Sequence, residues 1–156
     1  MLKEDNLELI LWRHAEAEDG FPDTARKLTE KGLKQAHNMA QWLKPRLPKN
    51  TRIMVSPAKR AQQTALALSN HFETTQEVGT STTADRILAA ANWPYEESSI
   101  LVVGHQPTLG NVAASLICQN HAGFSIKKGA IWWFSYKQSA DTENTILRAV
   151  ISPDMV

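Results

Sequence analysis

The chain has 156 residues, 42% of them hydrophobic, and 17 Lys and Arg against 16 Asp and Glu give a formal charge of +1. That length and apolar content fit one domain over residues 1–156 with one sizeable core, and the balanced charge argues against a nucleic-acid or anionic-membrane surface. A lone cysteine, Cys118, excludes an intramolecular disulfide and a CxxC redox or zinc site. With an acidic N-terminus and no apolar run approaching the ~20 residues of a membrane span, the chain reads as soluble and cytoplasmic.

The first apolar run, residues 7–12, predicts a strand that ends at Arg13-His14. Thr29 is a plausible N-cap for a helix whose buried face is Leu33, Ala36, Ala40, Leu43 and Leu47, with Pro45 ending it. Residues 52–55 predict a second strand running into Ser56-Pro57, where Ser can cap and Pro can begin a helix with a stripe of Ala61, Ala65, Leu68 and Phe72. A weaker helix is expected over residues 84–92, stopped near Pro94, and then a buried strand over residues 100–103 ending in Gly104-His105-Gln106-Pro107. Leu109, Val112, Leu116 and Ile117 give the next helix its apolar face. Residues 130–136 and 145–151 alternate like an antiparallel hairpin. Residues 74–83 and 138–145 read as loops. The pattern is α/β: a mixed, mostly parallel sheet flanked by helices in three layers.

The residues able to do chemistry collect at strand-to-helix junctions: Arg13 and His14 after the first strand, Arg60 in the turn after the second, His105 after the later one. In open α/β sheets such junctions converge outside the carboxyl ends of the strands, where ligands bind. Two imidazoles and two guanidiniums would then share a pocket. Guanidinium forks match phosphate geometry, and a helix start adds backbone N–H groups, so the expected ligand is a phosphoryl group. Arg13 and Arg60 beside His14 disfavour imidazolium by like-charge repulsion, leaving a nitrogen lone pair free to attack phosphorus. His37, beside the first helix's apolar stripe, reads as half exposed; His71 and His121, near loop-like ends, have no supporting pattern. Cys118 reads as a small buried side chain.

Leu11-Trp12-Arg13-His14-Ala15-Glu16 resembles the Arg-His signature of the histidine phosphatase superfamily, also called phosphoglycerate mutase-like. Leu28-Thr29-Glu30-Lys31-Gly32 with Gln35-Ala36, then residues 55–65 (VSPAKRAQQTA), then residues 102–107 (VVGHQP) follow in the family's order. The short chain is similar to the SixA-type phosphohistidine phosphatases in particular. The resemblance implies that His14 is phosphorylated during turnover, that Arg13 and Arg60 clamp the phosphoryl oxygens, and that His105 stabilises their charge. Arg26 either reaches this site or pairs with Asp23 or Glu30. Two departures matter: Ala15 stands where many members carry Gly, and residues 77–85 do not clearly supply the Glu that serves others as general acid.

Glu16, Asp19 and Asp85 stay open as candidate acids. Lacking a strong acid favours P–N substrates, because imidazole leaves more easily than an alkoxide. The expected function is hydrolysis of protein phosphohistidine through a phosphohistidine at His14, with a small phosphomonoester or a non-catalytic phosphoprotein-binding module as alternatives. The expected partner is thus a phosphorylated protein or a small phosphate ester. No cofactor is called for, and no spacing resembles HExxH, so His14, His105 and Glu16 make a poor metal set.

Overall fold

The computed structural model describes residues 6–118, 122–138 and 143–156. Six strands form one sheet in the order β3-β2-β4-β1-β5-β6: β1 (Leu7–Arg13), β2 (Arg52–Val55), β3 (Glu73–Thr74), β4 (Ile100–Gly104), β5 (Ile131–Gln138) and β6 (Glu143–Ile151). β3, β2, β4 and β1 run parallel; β5 and β6 close the other edge as an antiparallel hairpin. The predicted mixed sheet is thus observed, with one addition. Glu73-Thr74, read as loop margin, pairs with Met54-Val55 as a short edge strand.

Alternation along the central strands divides the core in two. Leu9, Leu11, Ile100 and Val102 pack with α3 (Ala84–Ala90) and α4 (Thr108–Ile117), while Ile10, Trp12, Leu101 and Val103 pack with α1 (Glu30–Leu43) and α2 (Lys59–Leu66). Apolar side chains wanted on both faces explain the apolar run of β4 and that of β1, which is broken by Glu8, a buried carboxylate that accepts from Trp133 Nε1 at 2.6 Å. Trp133 is buried against Trp42, and its neighbour Trp132 is half-buried on the opposite face against Phe124.

Three local expectations change. Thr29 does cap α1, accepting from Gly32 N at 2.9 Å, but Leu33 is 48% exposed; the buried face is Gly32, Ala36, Met39, Ala40 and Leu43. The first turn is pressed against the loop after β1, where a Cβ on Gly32 would lie 2.0 Å from Glu16 O, so only glycine fits there. Secondly, α2 starts after Ala58 and ends at Leu66, so Ser56 is not its cap, and Leu68 and Phe72 pack as half-buried residues beyond it. Thirdly, Cys118 is exposed, because it caps the C-terminus of α4 past the last packed turn. His37 and His71 are exposed. His121 lies outside the described residues, as do residues 139–142 of the loop expected over 138–145; the rest of that span is strand, since β5 runs to Gln138 and β6 starts at Glu143.

Strand register is what assembles the site. Arg13 is opposite Gly104, and Val55 is opposite Val103. His14, Ser56 and His105 therefore leave adjacent parallel strands at the same carboxyl edge.

Candidate active site

Backbone bonds fix where the first imidazole sits. His14 N donates to Gly104 O at 3.1 Å and His14 O accepts from Gly129 N at 3.0 Å, so the turn after β1 is gripped from both sides. Ala15 N donates to Thr64 Oγ1 at 3.0 Å, and Thr64 Oγ1 donates to Arg60 O at 2.8 Å. This one threonine joins the β1 turn to α2. The Ala15 methyl is fully buried against Leu28 and Ala36, so the alanine at this departure from the family pattern is accommodated by packing.

His14 is buried, and its Nδ1 lies 2.7 Å from Ala15 O. A carbonyl only accepts, so Nδ1 carries the proton and Nε2 carries the lone pair. Arg60 Nε donates to that Nε2 at 3.3 Å. The imidazole's pKa is pushed down to about 3, first by burial and further by His105, Arg60 and Arg13, against the opposing bond to Ala15. Repulsion by the arginines is the expected reason for a neutral ring, but the leading cause of the lowered pKa is burial: loss of solvent outweighs the guanidiniums.

His105 lies beside it, ring centroids 5.2 Å apart, and is lowered to about 4, again by burial first and then by Arg60. Its Nε2 is hydrogen-bonded to Ser56 Oγ at 2.7 Å, and Ala58 N donates to that same hydroxyl oxygen at 3.2 Å. The serine read as a helix cap is instead the second imidazole's partner. Arg13 NH1 donates to Ile126 O at 2.7 Å, and burial lowers the pKa of its guanidinium. Arg13 Nε and His105 Nδ1 are buried and have no hydrogen-bond partner among the described residues.

The structure brings Arg13, His14, Arg26, Arg60 and His105 together around one cleft of about 340 Å³. Arg26 does both things anticipated for it: it lines the cleft, and its Nε pairs with Asp23 Oδ1 at 3.0 Å. Of the acid candidates, Asp19 lines the cleft, whereas Glu16 accepts from Thr29 Oγ1 at 2.8 Å beside a neighbouring hollow and Asp85 opens α3. Sequence reading missed Asp23 as a partner of Arg60: Arg60 NH1 donates to Asp23 O at 2.8 Å and NH2 to Asp23 Oδ2 at 3.1 Å. That pairing holds the Asp23 carboxyl below its usual range. Thr80, Gln106 and Lys128 also line the cleft without having been singled out. Among the described residues, no three His, Cys, Asp or Glu side chains converge as metal ligands do. A second cleft of about 400 Å³, between Trp42 and Trp133, contains arginines but no nucleophile.

Both imidazoles make the fold acid-sensitive in a defined window. Their folded pKa values lie below 6.5, so as pH falls below about 6.5 the unfolded chain takes up protons that the folded chain refuses, and stability drops. Each imidazole contributes up to about 1.4 kcal/mol per pH unit across that window. Denaturant unfolding at pH 7 and pH 5 should show this loss, and His14→Asn should make the slope shallower. Stability independent of pH between 7 and 5 would contradict the buried, neutral pair.

The histidine phosphatase superfamily (branch 1) profile matches residues 9–83. The phosphohistidine phosphatase SixA homolog of Haemophilus influenzae is 34% identical over 126 residues, covering 70% of this chain and 77% of that protein. The phosphohistidine phosphatase SixA of Escherichia coli K12 is 30% identical over 119 residues, covering 70% and 74%. A solved structure of the protein histidine phosphatase SixA complexed with tungstate superposes with a TM-score of 0.80 at 26% identity, covering 95% of this chain and 98% of that one. No helix of the described residues is long and apolar enough to cross a membrane. With its Arg-His turn, its second histidine and these relatives in agreement, the chain belongs to the histidine phosphatase superfamily, in its SixA-type group.

Proposed function

We propose that this protein hydrolyses phosphohistidine on a partner protein through a covalent phosphohistidine at His14. One observation carries the reading: His14 is buried and neutral, its Nδ1 proton is committed to Ala15 O, and its Nε2 lone pair sits in a cleft lined by three arginines. A pocket for binding alone has no use for such a nucleophile. The relatives named for phosphohistidine cleavage, and the relative that holds tungstate, support the substrate class.

In the first step the Arg60 Nε–H shifts from His14 Nε2 to a phosphoryl oxygen, the freed Nε2 attacks phosphorus, the P–N bond to the substrate breaks, and the protonated imidazole leaves as a neutral group. In the second, water attacks in line with the His14 P–N bond, inorganic phosphate departs and its proton passes to solvent. Arg13 and Arg60 bind phosphoryl oxygens and His105 faces the charge that develops on them. Arg26 joins them from the pocket edge. Fixed charges in a buried site need no reorganisation during reaction, which is where such sites gain most of their rate. The chain's role is then to end phosphohistidine signals, acting as one cytoplasmic domain over residues 1–156.

Leaving-group dependence tests this. Asp23 is held ionised between Arg26 and Arg60 and cannot protonate an alkoxide; Asp19 is the remaining carboxylate on the cleft. A missing general acid costs typically about 10²–10⁴-fold on poor leaving groups. Phosphohistidine and phosphoramidate should therefore be cleaved at least about a hundredfold faster than alkyl phosphomonoesters, and Asp19→Asn should leave the P–N rates unchanged. Equal rates on alkyl esters, lost in Asp19→Asn, would make Asp19 an acid and the protein a phosphomonoesterase.

A further inference from the structure

The cleft is built for a phosphoryl group and for little else. Among the described residues that line it, Ala17 is the sole apolar one, so these residues offer no wall for an organic leaving group. Whatever holds the rest of the substrate must lie on the rim. There Phe21 stands 96% exposed, two residues from Asp19 and two from Asp23, both of which line the cleft.

We propose that Phe21 is the anchor by which the phosphorylated protein docks, its ring entering an apolar patch beside the phosphorylated imidazole. This rests on the phosphohistidine-protein reading above. Its mounting supports the role. The loop is clamped at its base, where Glu18 N donates to Lys27 O at 2.8 Å, and on its pocket side by Asp23 on Arg60. Arg26 NH1 adds a bond to Glu18 O at 3.1 Å. Gly20, at φ +152°, takes a backbone conformation that L side chains rarely adopt, and a Cβ there would lie 3.9 Å from the Arg26 side chain. These bonds tie the loop that carries Phe21 to the wall of the phosphoryl clamp on both sides of the ring.

A fully exposed phenylalanine contributes nothing to this fold, whereas docking would bury on the order of 150–250 Å² of it. Such rigid aromatic anchors dominate interface energetics. Phosphoramidate carries nothing beyond its phosphoryl group and amine, and so has no apolar surface for the ring to bury. Protein and small substrates should therefore respond differently to the same substitution.

The test compares wild type, Phe21→Ser, Phe21→Leu and Tyr95→Ser on phosphoramidate and on a panel of histidine-phosphorylated proteins. Tyr95 is 80% exposed but lies between α3 and β4, on the chain leading into the amino end of β4 and not at the carboxyl ends that carry the site, and controls for loss of surface apolarity in general. Phe21→Ser should lower kcat/KM on the best protein substrate about tenfold, through KM, with phosphoramidate kinetics unchanged. Phe21→Leu should recover most of the loss, and Tyr95→Ser should match wild type on both. Unchanged protein kinetics, an equal loss on phosphoramidate, or the same loss in Tyr95→Ser would overturn the proposal. A wild type that cleaves phosphoramidate but no protein of the panel would overturn the protein-substrate reading itself, and the docking role with it.

Discussion

His14→Asn is expected to fold, bind phosphate and turn over nothing. Asn Nδ2 takes the place of the ring Nδ1 and keeps the bond to Ala15 O, so the substitution removes the Nε2 lone pair and little besides. His105 cannot stand in, because its Nε2 is directed at Ser56 and its Nδ1 is buried. Losing a covalent nucleophile typically costs at least about a thousandfold in kcat. Rapid quench with ³²P-labelled phosphohistidine protein should trap acid-labile, base-stable label on the wild type and none on His14→Asn or His14→Ala. Label that survives in either variant would remove His14 from the role. Label that forms on the wild type without release of phosphate would make the protein a carrier.

The sequence made the sheet legible where its physics is local. The apolar runs at residues 7–12, broken by Glu8, and 100–103 read as strands, and both are strands covered on both faces. Thr29 as a cap was legible for the same reason: its hydroxyl serves an N–H three residues on. What was not legible depended on partners far along the chain. Glu73-Thr74 is polar and exposed, and only the free edge of β2 makes it a strand. The phase of α1 is set by Gly32 against Glu16, a contact that no periodicity encodes.

The site divides along the same line. Its four principal residues stood out because they lie where strands give way to helices, Arg13 ending β1, His14 and His105 just past β1 and β4, and Arg60 in the first turn of α2, and register then made them neighbours. Their supports did not. The pairing of Asp23 with Arg26, three residues apart, could be anticipated; its pairing with Arg60, thirty-seven residues away, could not. Ser56 looked like a local cap and turned out to contact His105 forty-nine residues on. The backbone of Ile126 and Gly129, which holds Arg13 and His14, left no trace in side-chain pattern beyond a glycine at φ +75°. Charge repulsion was the only cause of a neutral His14 visible in one dimension, since burial is a property of the fold.

That difference in cause has a kinetic consequence for Arg60. Its guanidinium points three ways at once: Nε to His14, NH1 to the Asp23 carbonyl and NH2 to the Asp23 carboxylate. Arg60→Ala removes a clamp on the phosphoryl group and releases Asp23 beside the anion, so kcat should fall about 10²–10³-fold, as when a fixed donor to a developing charge is lost. Arg60→Lys keeps the charge but offers one ammonium in place of a fork and should recover only part of the rate. If the arginine acted chiefly by keeping His14 neutral, raising pH would restore Arg60→Ala. Burial is the larger cause of that neutrality, so His14 stays neutral in the variant near pH 7, and the deficit should persist unchanged from pH 6.5 to 8.5. A pH–rate profile of Arg60→Ala that climbs back toward wild type over that range would reverse the order of causes and assign Arg60 to tuning the nucleophile instead of holding the phosphoryl group.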